Sequence, residues 1–404
     1  MKTSLPERVA VALLVEMASG NYLPNERFLS HRDVKRFWRV SSPTATTSLQ
    51  KLVEWGIIKS RDRSGHYLVP DFRRMALARL NAVHSIAMPR KPDWQTKVHS
   101  ADRPENSLKR IALVMMPQGA ERTGKSDTLS PQISCMATSY TARAIFREAE
   151  RSGVMVDFYM DDGKEECHEW IVKQITSTNA QGAVIIRRIL STRVAPMASM
   201  FMKKGIPVVT AYDDCEHTNM VSVNFNNVGI GYSATRRFLD LGHRRIGVVL
   251  QKAPDQYFSD RFSGSELAVK EFGDPSARTQ PFFLEYSDTE TDVRKRFARS
   301  FSRSNKDRPT ALLITDVQLL TMLKPLIQSE HLTIPRDLSV IVCSTITEVP
   351  GFKRRFDIMK LDFEEVGRAA YRALEKLFQG TSYSPCLLVN PQYHAHGSTA
   401  ARAT

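Results

Sequence analysis

A glycine-rich stretch offers a pattern for phosphate chemistry. Residues Gly119–Ser126, with the sequence GAERTGKS, fit G-x-x-x-x-G-K-[ST] and follow an apolar segment, Ile111–Met115, that is typical of a strand. In a true P-loop the backbone amides cradle phosphates and a helix starts at the lysine. Here Pro131 would lie inside that helix and break it. Nucleotide binding by this stretch is therefore the minority hypothesis.

The rest of the sequence shows no pattern for catalysis or metal binding. Neighbouring cysteines are about thirty positions apart or more, which gives no CxxC pair and no disulfide framework. We also find no Ser/His/Asp order, no metal-ligand spacing and no paired carboxylates at a defined separation. We therefore predict that the protein is not an enzyme and uses no cofactor or metal. The cysteines are Cys135, Cys167, Cys215, Cys343 and Cys386.

The positive charge is concentrated near the N-terminus. The chain has 404 residues and a formal net charge of +14, and its first 110 residues contain 20 basic and 10 acidic side chains. A segment with this bias is typical of a polyanion-binding domain. A solvated basic face would give the same charge, so only the order of helices and strands can distinguish it from a polyanion-binding domain.

The first seventy residues predict three helices followed by two short strands. Apolar residues recur at helical spacing and turn or capping residues separate the segments. A basic hairpin tip, Lys59–His66, joins the strands. The helices are marked by Val9, Leu13 and Met17, by Ser30, Val34 and Phe37, and by Pro43, Ala45, Leu49 and Leu52, with Gly56 after them; the strands are Ile57-Ile58 and Tyr67-Leu68-Val69.

This order of elements is that of a winged helix-turn-helix, and the residues resemble the GntR family of bacterial regulators. The matching stretches are Leu23-Pro24, Ser30-His31-Arg32, Val40-Ser41-Ser42-Pro43-Thr44, Leu49 to Leu52, Gly56-Ile57-Ile58 and Gly65-His66-Tyr67-Leu68-Val69. The resemblance implies that the segment binds double-stranded operator DNA, with a helix in the major groove and the basic ribbon along phosphates. The implied DNA-binding residues are Arg32, Ser42, Thr44, Thr46, Arg61, Arg63 and Gly65.

Two of these positions depart from the family. The family usually has arginine where this chain has Ser42 and Thr46, so bidentate reading of guanine from those sites is lost. The operator sequence is therefore not transferable from the family. A winged helix used only for protein contacts is the alternative.

Residues 71–107 are predicted to be a linker. A short helix, Phe72–Val83, is followed by stretches with three prolines and no apolar period. The domain boundaries predicted are 1–70 for the winged helix, 71–107 for the linker and 108–404 for the remainder.

The remaining residues alternate between apolar strands and helical patterns. Such alternation indicates parallel sheets buried on both faces, and the length favours two lobes. The predicted fold is therefore an α/β two-lobed domain, whose ligand would bind beyond the carboxyl ends of the strands and be enclosed by hinge motion. The strands are Ile111–Met115, Val154–Tyr159, Ala183–Ile186, Val208–Thr210, Ile246–Leu250, Ala311–Ile314 and Val340–Cys343; the helices are Ser134–Arg151, Glu166–Thr178, Asn227–Gly242, Ser259–Phe272 and Val317–Glu330.

This region resembles the effector domain of LacI-type regulators, which is related to periplasmic sugar-binding proteins. The matching stretches, in order, are Val221-Ser222-Val223-Asn224, Phe238 to Gly247, Arg261-Phe262-Ser263-Gly264, Arg308-Pro309-Thr310-Ala311, Thr315-Asp316, Leu332 to Val340 and His396-Gly397-Ser398-Thr399. With the N-terminal segment, the chain resembles regulators of the arabinose-repressor kind.

The resemblance implies an effector site. Its residues would be Gln132, Asp213 or Asp214, Arg261 and Asp316. A guanidinium fork and carboxylates suit a polyhydroxylated ligand, so the implied effector is a sugar. For Arg261 and Asp316, an internal salt bridge is the alternative. Asn224, Thr315 and Cys343-Ser344-Thr345 depart from the family pattern, which leaves the identity of the ligand open.

Together these observations predict a ligand-responsive transcription regulator, with repression implied by the family. It would bind DNA as a homodimer, because two half-sites mirror two-fold protein symmetry. No apolar run approaches the ~20 residues needed to cross a membrane and the N-terminus lacks a signal-peptide core, so we predict a cytoplasmic protein. The competing classes are a P-loop nucleotide-binding protein and a solute-binding protein without DNA function.

Overall fold

The computed structural model divides the chain into two compact units. Of the described residues, those up to 115 and those within 131–224 and 363–387 belong to unit 1, and those within 225–362 and 388–402 belong to unit 2. The chain thus passes between the units after Asn224, after Asp362 and after Leu387. The structure describes residues 4–19, 25–38, 40–61, 65–72, 75–76, 79, 107–115, 131–161, 165–186, 194–212, 220–252, 256–285, 287–349, 351–381 and 384–402.

Helices and strands alternate over most of these residues. The helices are α1 (Leu5–Ser19), α2 (His31–Trp38), α3 (Ser42–Glu54), α4 (Pro131–Arg151), α5 (Glu165–Ser177), α6 (Val194–Lys203), α7 (Asn227–Asp240), α8 (Gln256–Phe272), α9 (Glu290–Phe301), α10 (Val317–Ser329) and α11 (Phe363–Phe378). The strands are β1 (Ile58–Arg61), β2 (Gly65–Leu68), β3 (Arg110–Met115), β4 (Met155–Met160), β5 (Ala183–Ile186), β6 (Val208–Ala211), β7 (Val221–Phe225), β8 (Arg245–Gln251), β9 (Arg278–Leu284), β10 (Ala311–Ile314), β11 (Ser339–Ser344), β12 (Asp357–Lys360), β13 (Cys386–Val389) and β14 (Gln392–His394).

The N-terminal segment, residues 4–72, contains three helices and then a two-stranded antiparallel ribbon, in the predicted order. The third helix begins where the sequence places it. Ser41 is its N-cap and accepts a hydrogen bond from the Thr44 amide at 3.3 Å, and Pro43 lies in the first turn. A helix leaves its first amide groups without partners. The Ser41 side chain satisfies one of them, and Pro43 has no amide hydrogen that would need a partner. Gly56, with a φ of 72°, follows the end of the helix in the left-handed region that glycine favours.

The ribbon is longer than the sequence predicts. Pairing continues from Ile58↔Leu68 to Arg61↔Gly65, so much of the predicted tip, Lys59–His66, lies in strands. One cross-strand pair of side chains supports this ladder: the hydroxyl of Ser60 lies 3.1 Å from Nδ1 of His66. The three residues at the tip, 62–64, lie outside the described part of the chain.

Each unit contains a six-stranded sheet. In unit 1 the order is β13-β7-β6-β5-β3-β4, and the described ladders from β7 to β4 are parallel. In unit 2 the order is β14-β12-β11-β10-β8-β9, with parallel ladders except for β14, which runs antiparallel to β12. Strands β5, β6 and β10 are buried along their whole length, as parallel strands covered on both faces must be. The prediction of parallel sheets is confirmed.

Several elements escaped prediction. The missed strands are β7, β9, β12, β13 and β14, whose apolar patterns are short or interrupted. Strand β9, for instance, lies at a sheet edge and begins Arg278-Thr279-Gln280-Pro281. Proline is tolerated there because an edge strand need not donate on its free side. The missed helices are α6, α9 and α11. Helix α9 is charged along most of its length, yet a capping box between Thr289 and Asp292 starts it.

Two glycines let α7 and α8 approach each other closely in unit 2. A Cβ atom on Gly231 would lie 1.8 Å from the carbonyl oxygen of Arg261, and one on Gly264 would lie 2.0 Å from that of Val228. No larger residue fits at either position without moving a helix. This close contact fixes the position of α8 and of the Arg261 side chain on it.

Asp357, at the start of β12, anchors the C-terminal segment in unit 2. Its buried carboxylate accepts hydrogen bonds from the Tyr393 hydroxyl at 2.6 Å, the Thr399 hydroxyl at 2.6 Å, and the amides of His396 and Ser398 at 2.6 and 3.0 Å. Burial alone would raise the pKa of Asp357, but the bonds from these four residues outweigh it and hold that pKa below its usual value.

No helix in the described part of the chain has the length and apolar character required for a membrane span.

Asp357 makes stability dependent on pH. Because its pKa is lower in the folded state, its contribution is complete above the ordinary aspartate pKa of ~4 and is lost as the pH falls through the folded value. We expect Asp357→Asn to lower the free energy of unfolding by about 1–3 kcal/mol at pH 7, and the difference from wild type to shrink towards pH 3. Urea unfolding of the full chain measures both.

The control is Asp307→Asn, which changes an exposed carboxylate paired with Arg278. It should alter stability by less than about 1 kcal/mol. A pH-independent gap between wild type and Asp357→Asn would contradict the role given to the carboxylate.

Candidate functional sites

Helix α3 carries three of the predicted DNA-binding residues, and they differ in exposure. Thr46 is exposed, Ser42 is half-buried and Thr44 is 9% exposed. The Thr44 hydroxyl lies 2.8 Å from that of Ser41, so it takes part in the helix cap. Thr44 therefore presents much less surface than Thr46 to a binding partner of α3.

Helix α2 places Arg32 near the start of α3. Ser30 and Asp33 cap α2 reciprocally, through the Ser30 amide at 2.9 Å from the Asp33 carboxylate and the Asp33 amide at 3.3 Å from the Ser30 hydroxyl. His31 Nε2 lies 2.9 Å from the Ser42 carbonyl oxygen and so connects the two helices. Arg32, between these two anchors, is exposed.

The ribbon adds further basic groups. The Arg61 guanidinium lies over the Tyr67 ring, 4.4 Å from its centre, and Gly65 has a φ of 100°. Arg63 lies outside the described residues. Arg27, which the sequence analysis missed, packs beside Gly65: a Cβ atom there would lie 3.3 Å from its Nε atom. The only sequence signal for Arg27 is a basic residue shortly after the Leu23-Pro24 turn.

These basic side chains can bind an anion. Arg27, Arg32 and Lys59 are exposed and form no ion pair with any described residue. A cation that has no internal carboxylate partner is free to neutralise a phosphate. The described N-terminal segment therefore combines a helix with an exposed polar face and nearby cations.

In unit 2, Arg261 is bound to the protein itself. It is buried in α8, donates from Nε to Asn227 Oδ1 at 3.1 Å, and donates from Nη1 to the Thr315 carbonyl oxygen at the end of β10. Its guanidinium also lies 5.0 Å from the centre of the Tyr257 ring. Arg261 thus connects α8, α7 and the end of β10. The described partners of the Arg261 guanidinium are thus an amide oxygen and a carbonyl oxygen rather than the carboxylate that the alternative hypothesis assigned to it.

Asp316 is the N-cap of α10. Its side chain accepts a hydrogen bond from the Gln318 amide at 2.8 Å, and its carboxylate is only partly buried. Arg261 and Asp316 both act on Cys343 at the end of β11. Burial raises the pKa of the Cys343 thiol to about 11, an effect that the Arg261 charge opposes and the Asp316 charge reinforces. These two predicted effector residues therefore lie in one region of unit 2.

Gln318 is a further polar group in this region that the sequence analysis missed. Its side chain is buried and its Oε1 atom accepts no hydrogen bond from the described residues. A buried acceptor without a donor is costly, so it is a candidate contact for a polar ligand. Nothing in the sequence distinguishes it from an ordinary helical glutamine.

The other predicted ligand residues are not placed. Gln132 lies in the first turn of α4, where its side chain is outside the described atoms, and Asp213, Asp214 and Gly119–Ser126 lie outside the described residues. Helix α4 begins at Pro131, which agrees with the argument that a proline there cannot lie inside an earlier helix. Among the described side chains there is no group of three or more His, Cys, Asp or Glu residues able to hold a metal ion.

Comparison with known proteins agrees with this fold. Residues 235–399 match the periplasmic binding protein-like domain family. The chain is 21% identical over 331 residues to the arabinose metabolism transcriptional repressor of Halalkalibacterium halodurans, covering 81% of this chain and 76% of that protein.

Two solved structures have a similar fold. One is the lac repressor dimer bound to operator and the anti-inducer ONPF, with a TM-score of 0.56, 15% identity, and coverage of 74% of this chain and 96% of that chain. The other is a LacI family transcriptional regulator from Enterococcus faecium with bound ribose, with a TM-score of 0.52, 17% identity, and coverage of 73% and 100%. At these identities the likeness establishes the fold, a periplasmic-binding-protein-like α/β domain with parallel sheets.

The bonds of Arg261 predict a structural role that can be measured separately from ligand binding. Arg261→Met keeps much of the side-chain length but leaves Asn227 Oδ1 and the Thr315 carbonyl oxygen without these donors. We expect a loss of about 2–4 kcal/mol in the free energy of unfolding, measured by urea denaturation.

The matched control is Arg236→Met, because the Arg236 side chain is 44% exposed and pairs with Asp240 one turn along α7. That change should cost less than about 1 kcal/mol. Equal stability of wild type and Arg261→Met would show that these bonds do not hold α8 to β10.

Proposed function

We propose that this protein is a transcription regulator that binds operator DNA through its N-terminal segment and a small polar effector through its periplasmic-binding-protein-like domain. The observation that carries this proposal is the presence of both parts in one chain. A three-helix segment with a basic ribbon suits a winged helix of the GntR type. The relatives with the second fold include the arabinose metabolism repressor and the operator-bound lac repressor.

DNA binding is supported by charge and exposure. Arg27, Arg32 and Lys59, which are exposed and form no ion pair with a described residue, provide phosphate contacts, and α3 offers an exposed polar face of the size that enters a major groove. The protein acts as a homodimer and its operator is partly palindromic, because two-fold protein symmetry is matched by two half-sites. Of the sequence-predicted residues, Arg32, Thr46, Arg61 and Gly65 are exposed and Ser42 is half-buried, while Arg63 lies outside the described residues.

Effector binding is supported by the polar groups near the ends of β10 and β11. Asp316 provides a carboxylate that can accept from paired hydroxyls, and Arg261 lies close by. The Enterococcus faecium regulator of similar fold was solved with bound ribose, and a sugar is the effector class that we assign here. Binding would change operator affinity by about 5–150-fold, the usual range for coupled sites.

A solute-binding protein without DNA function is the alternative that shares the second fold. It gives no reason for the exposed cations of the N-terminal segment. The P-loop hypothesis depends on Lys125, which lies outside the described residues; ATP turnover that Lys125→Ala abolishes would support it.

Phosphate contacts by the N-terminal segment should be visible in the salt dependence of DNA binding. We expect the full chain to retard a duplex from upstream of its own gene, with an affinity that falls steeply as salt rises. Lys59→Ala should weaken binding to all duplexes and reduce the salt slope by ~1.

Lys270→Ala, an exposed lysine on α8 in unit 2, is the control and should leave the slope unchanged. Binding that is indifferent to salt, or equal slopes for wild type and Lys59→Ala, would argue against the ribbon as a phosphate contact.

The effector site is tested by calorimetry of the full chain against a panel of pentoses and hexoses. Asp316→Asn keeps the cap of α10, since asparagine is a good N-cap, but removes the carboxylate. We expect the sugar that gives heat with wild type to bind this variant about 10–150-fold more weakly.

Asp240→Asn, an exposed aspartate on α7, serves as the control. Unchanged sugar affinity in Asp316→Asn would exclude Asp316 from the site, and a panel without any heat would refute the sugar assignment.

A further inference from the structure

The exposed face of α3 carries groups that suit adenine and thymine, and we propose that it reads A·T base pairs in the major groove. This inference rests on the proposed function, because it names the class of sequence that the N-terminal segment recognises. It concerns three residues, Thr46, Thr47 and Gln50, all of which are exposed.

The hydroxyl protons of the two threonines are engaged in hydrogen bonds within α3. Thr46 Oγ1 donates to the Ser42 carbonyl oxygen at 3.1 Å, and Thr47 Oγ1 donates to the Pro43 carbonyl oxygen at 2.9 Å. A hydroxyl has a single proton, so neither group can donate to a base while these bonds last. Each threonine therefore presents a methyl group and oxygen lone pairs to a partner.

This chemistry fits thymine better than guanine. In the major groove guanine presents two acceptors, N7 and O6, which need a donor, whereas thymine presents a methyl group that packs against apolar groups such as the threonine methyl. The face of α3 is thus poor in donors where a guanine reader would need them.

Gln50 on the same face has a side chain that can recognise adenine. It lies four residues after Thr46 and three after Thr47, and helix geometry puts residues at these spacings on one face. Its amide forms no hydrogen bond with the described residues. A glutamine amide can pair with N6 and N7 of adenine, donating to one and accepting from the other.

The opposite face of α3 fixes this orientation. Ala45, Ser48, Leu49 and Leu52 are buried in the N-terminal segment, and Ser48 Oγ lies 2.7 Å from the Thr44 carbonyl oxygen and 2.9 Å from the Pro6 carbonyl oxygen in α1. Rotating α3 would expose this apolar stripe. Its outward row is therefore set by the packing of the segment.

Most of the basic groups lie outside this row. Arg27, Arg32 and Lys59 lie before α2, on α2 and in the ribbon; on α3, residues Pro43 to Gln50 have no charged side chain, and the half-buried Lys51 follows them. This separates the cations that position the protein on phosphates from the neutral groups that read bases. The charge complementarity and the neutral row together identify an A·T-containing major groove as the partner.

The test begins with duplexes that the full chain selects from a random pool. We expect the enriched half-sites to contain A·T pairs at the positions most sensitive to mutation. Replacing the contacted thymine with deoxyuridine removes only a methyl group, and wild-type affinity should fall about 4-fold for each such contact. Replacing the contacted adenine with 7-deazaadenine removes an acceptor, and affinity should fall about 5-fold or more.

Matched variants assign these effects to residues. Thr46→Ser with Thr47→Ser keeps the hydroxyl bonds to the backbone but removes both methyl groups, so it should bind thymine and deoxyuridine duplexes equally. Gln50→Ala should become indifferent to 7-deazaadenine. Gln328→Ala, an exposed glutamine on α10 in unit 2, should behave as wild type. Thr46→Arg should shift the selected base towards guanine.

The outcomes separate this proposal from the proposed function. Selected sites with guanine at the sensitive positions, or wild-type binding that ignores both modified bases, would overturn the reading of A·T pairs while leaving DNA binding intact. Binding to duplex without any sequence enrichment would overturn it as well. Failure to bind duplex at all would refute the proposed function and, with it, this inference.

Discussion

The distance between α7 and α8 is set by Gly231 and Gly264, and much of unit 2 depends on it. Because neither glycine has a side chain, the backbone of one helix rests against the other, and Arg261 on α8 reaches both Asn227 and the carbonyl at the end of β10. The end of β10 in turn leads to Asp316, which caps α10. Backbone packing, a buried guanidinium and a helix cap thus form one continuous set of contacts that holds the candidate ligand groups in place.

The N-terminal segment is organised on a different principle. Its stability comes from an apolar stripe on each helix and from caps at Ser30 and Ser41, while its exposed surface divides between cations and neutral polar groups. The threonine hydroxyls of α3 bond to their own helix, which leaves methyl groups outward. In the complex with DNA that we propose, electrostatic attraction and base selection can therefore be changed independently.

The sequence predicts most of the elements that position these groups. Continuous apolar runs such as Ala183–Ile186 and Ala311–Ile314 become buried parallel strands, because they must be covered on both faces. Strand β9 and helix α9 escape prediction, since an edge strand and a charged surface helix need no apolar run. The bonds of Arg261 also escape it: its partners lie 34 and 54 positions away in the chain, and local patterns carry no information about such contacts.

The described chain crosses between the two units three times, and this order affects folding during translation. Unit 1 receives α11 from residues that follow almost all of unit 2 in the sequence. Thr141 on α4 donates to the Phe363 carbonyl oxygen at 3.1 Å, and Gly182 lies against Leu374, so α11 is an integral part of that core. A ribosome that has just finished β7 has therefore synthesised an incomplete unit 1, whose apolar surface stays uncovered until some 140 further residues emerge. During the interval before α11 appears, this uncovered apolar surface exposes the nascent polypeptide to aggregation and to chaperones.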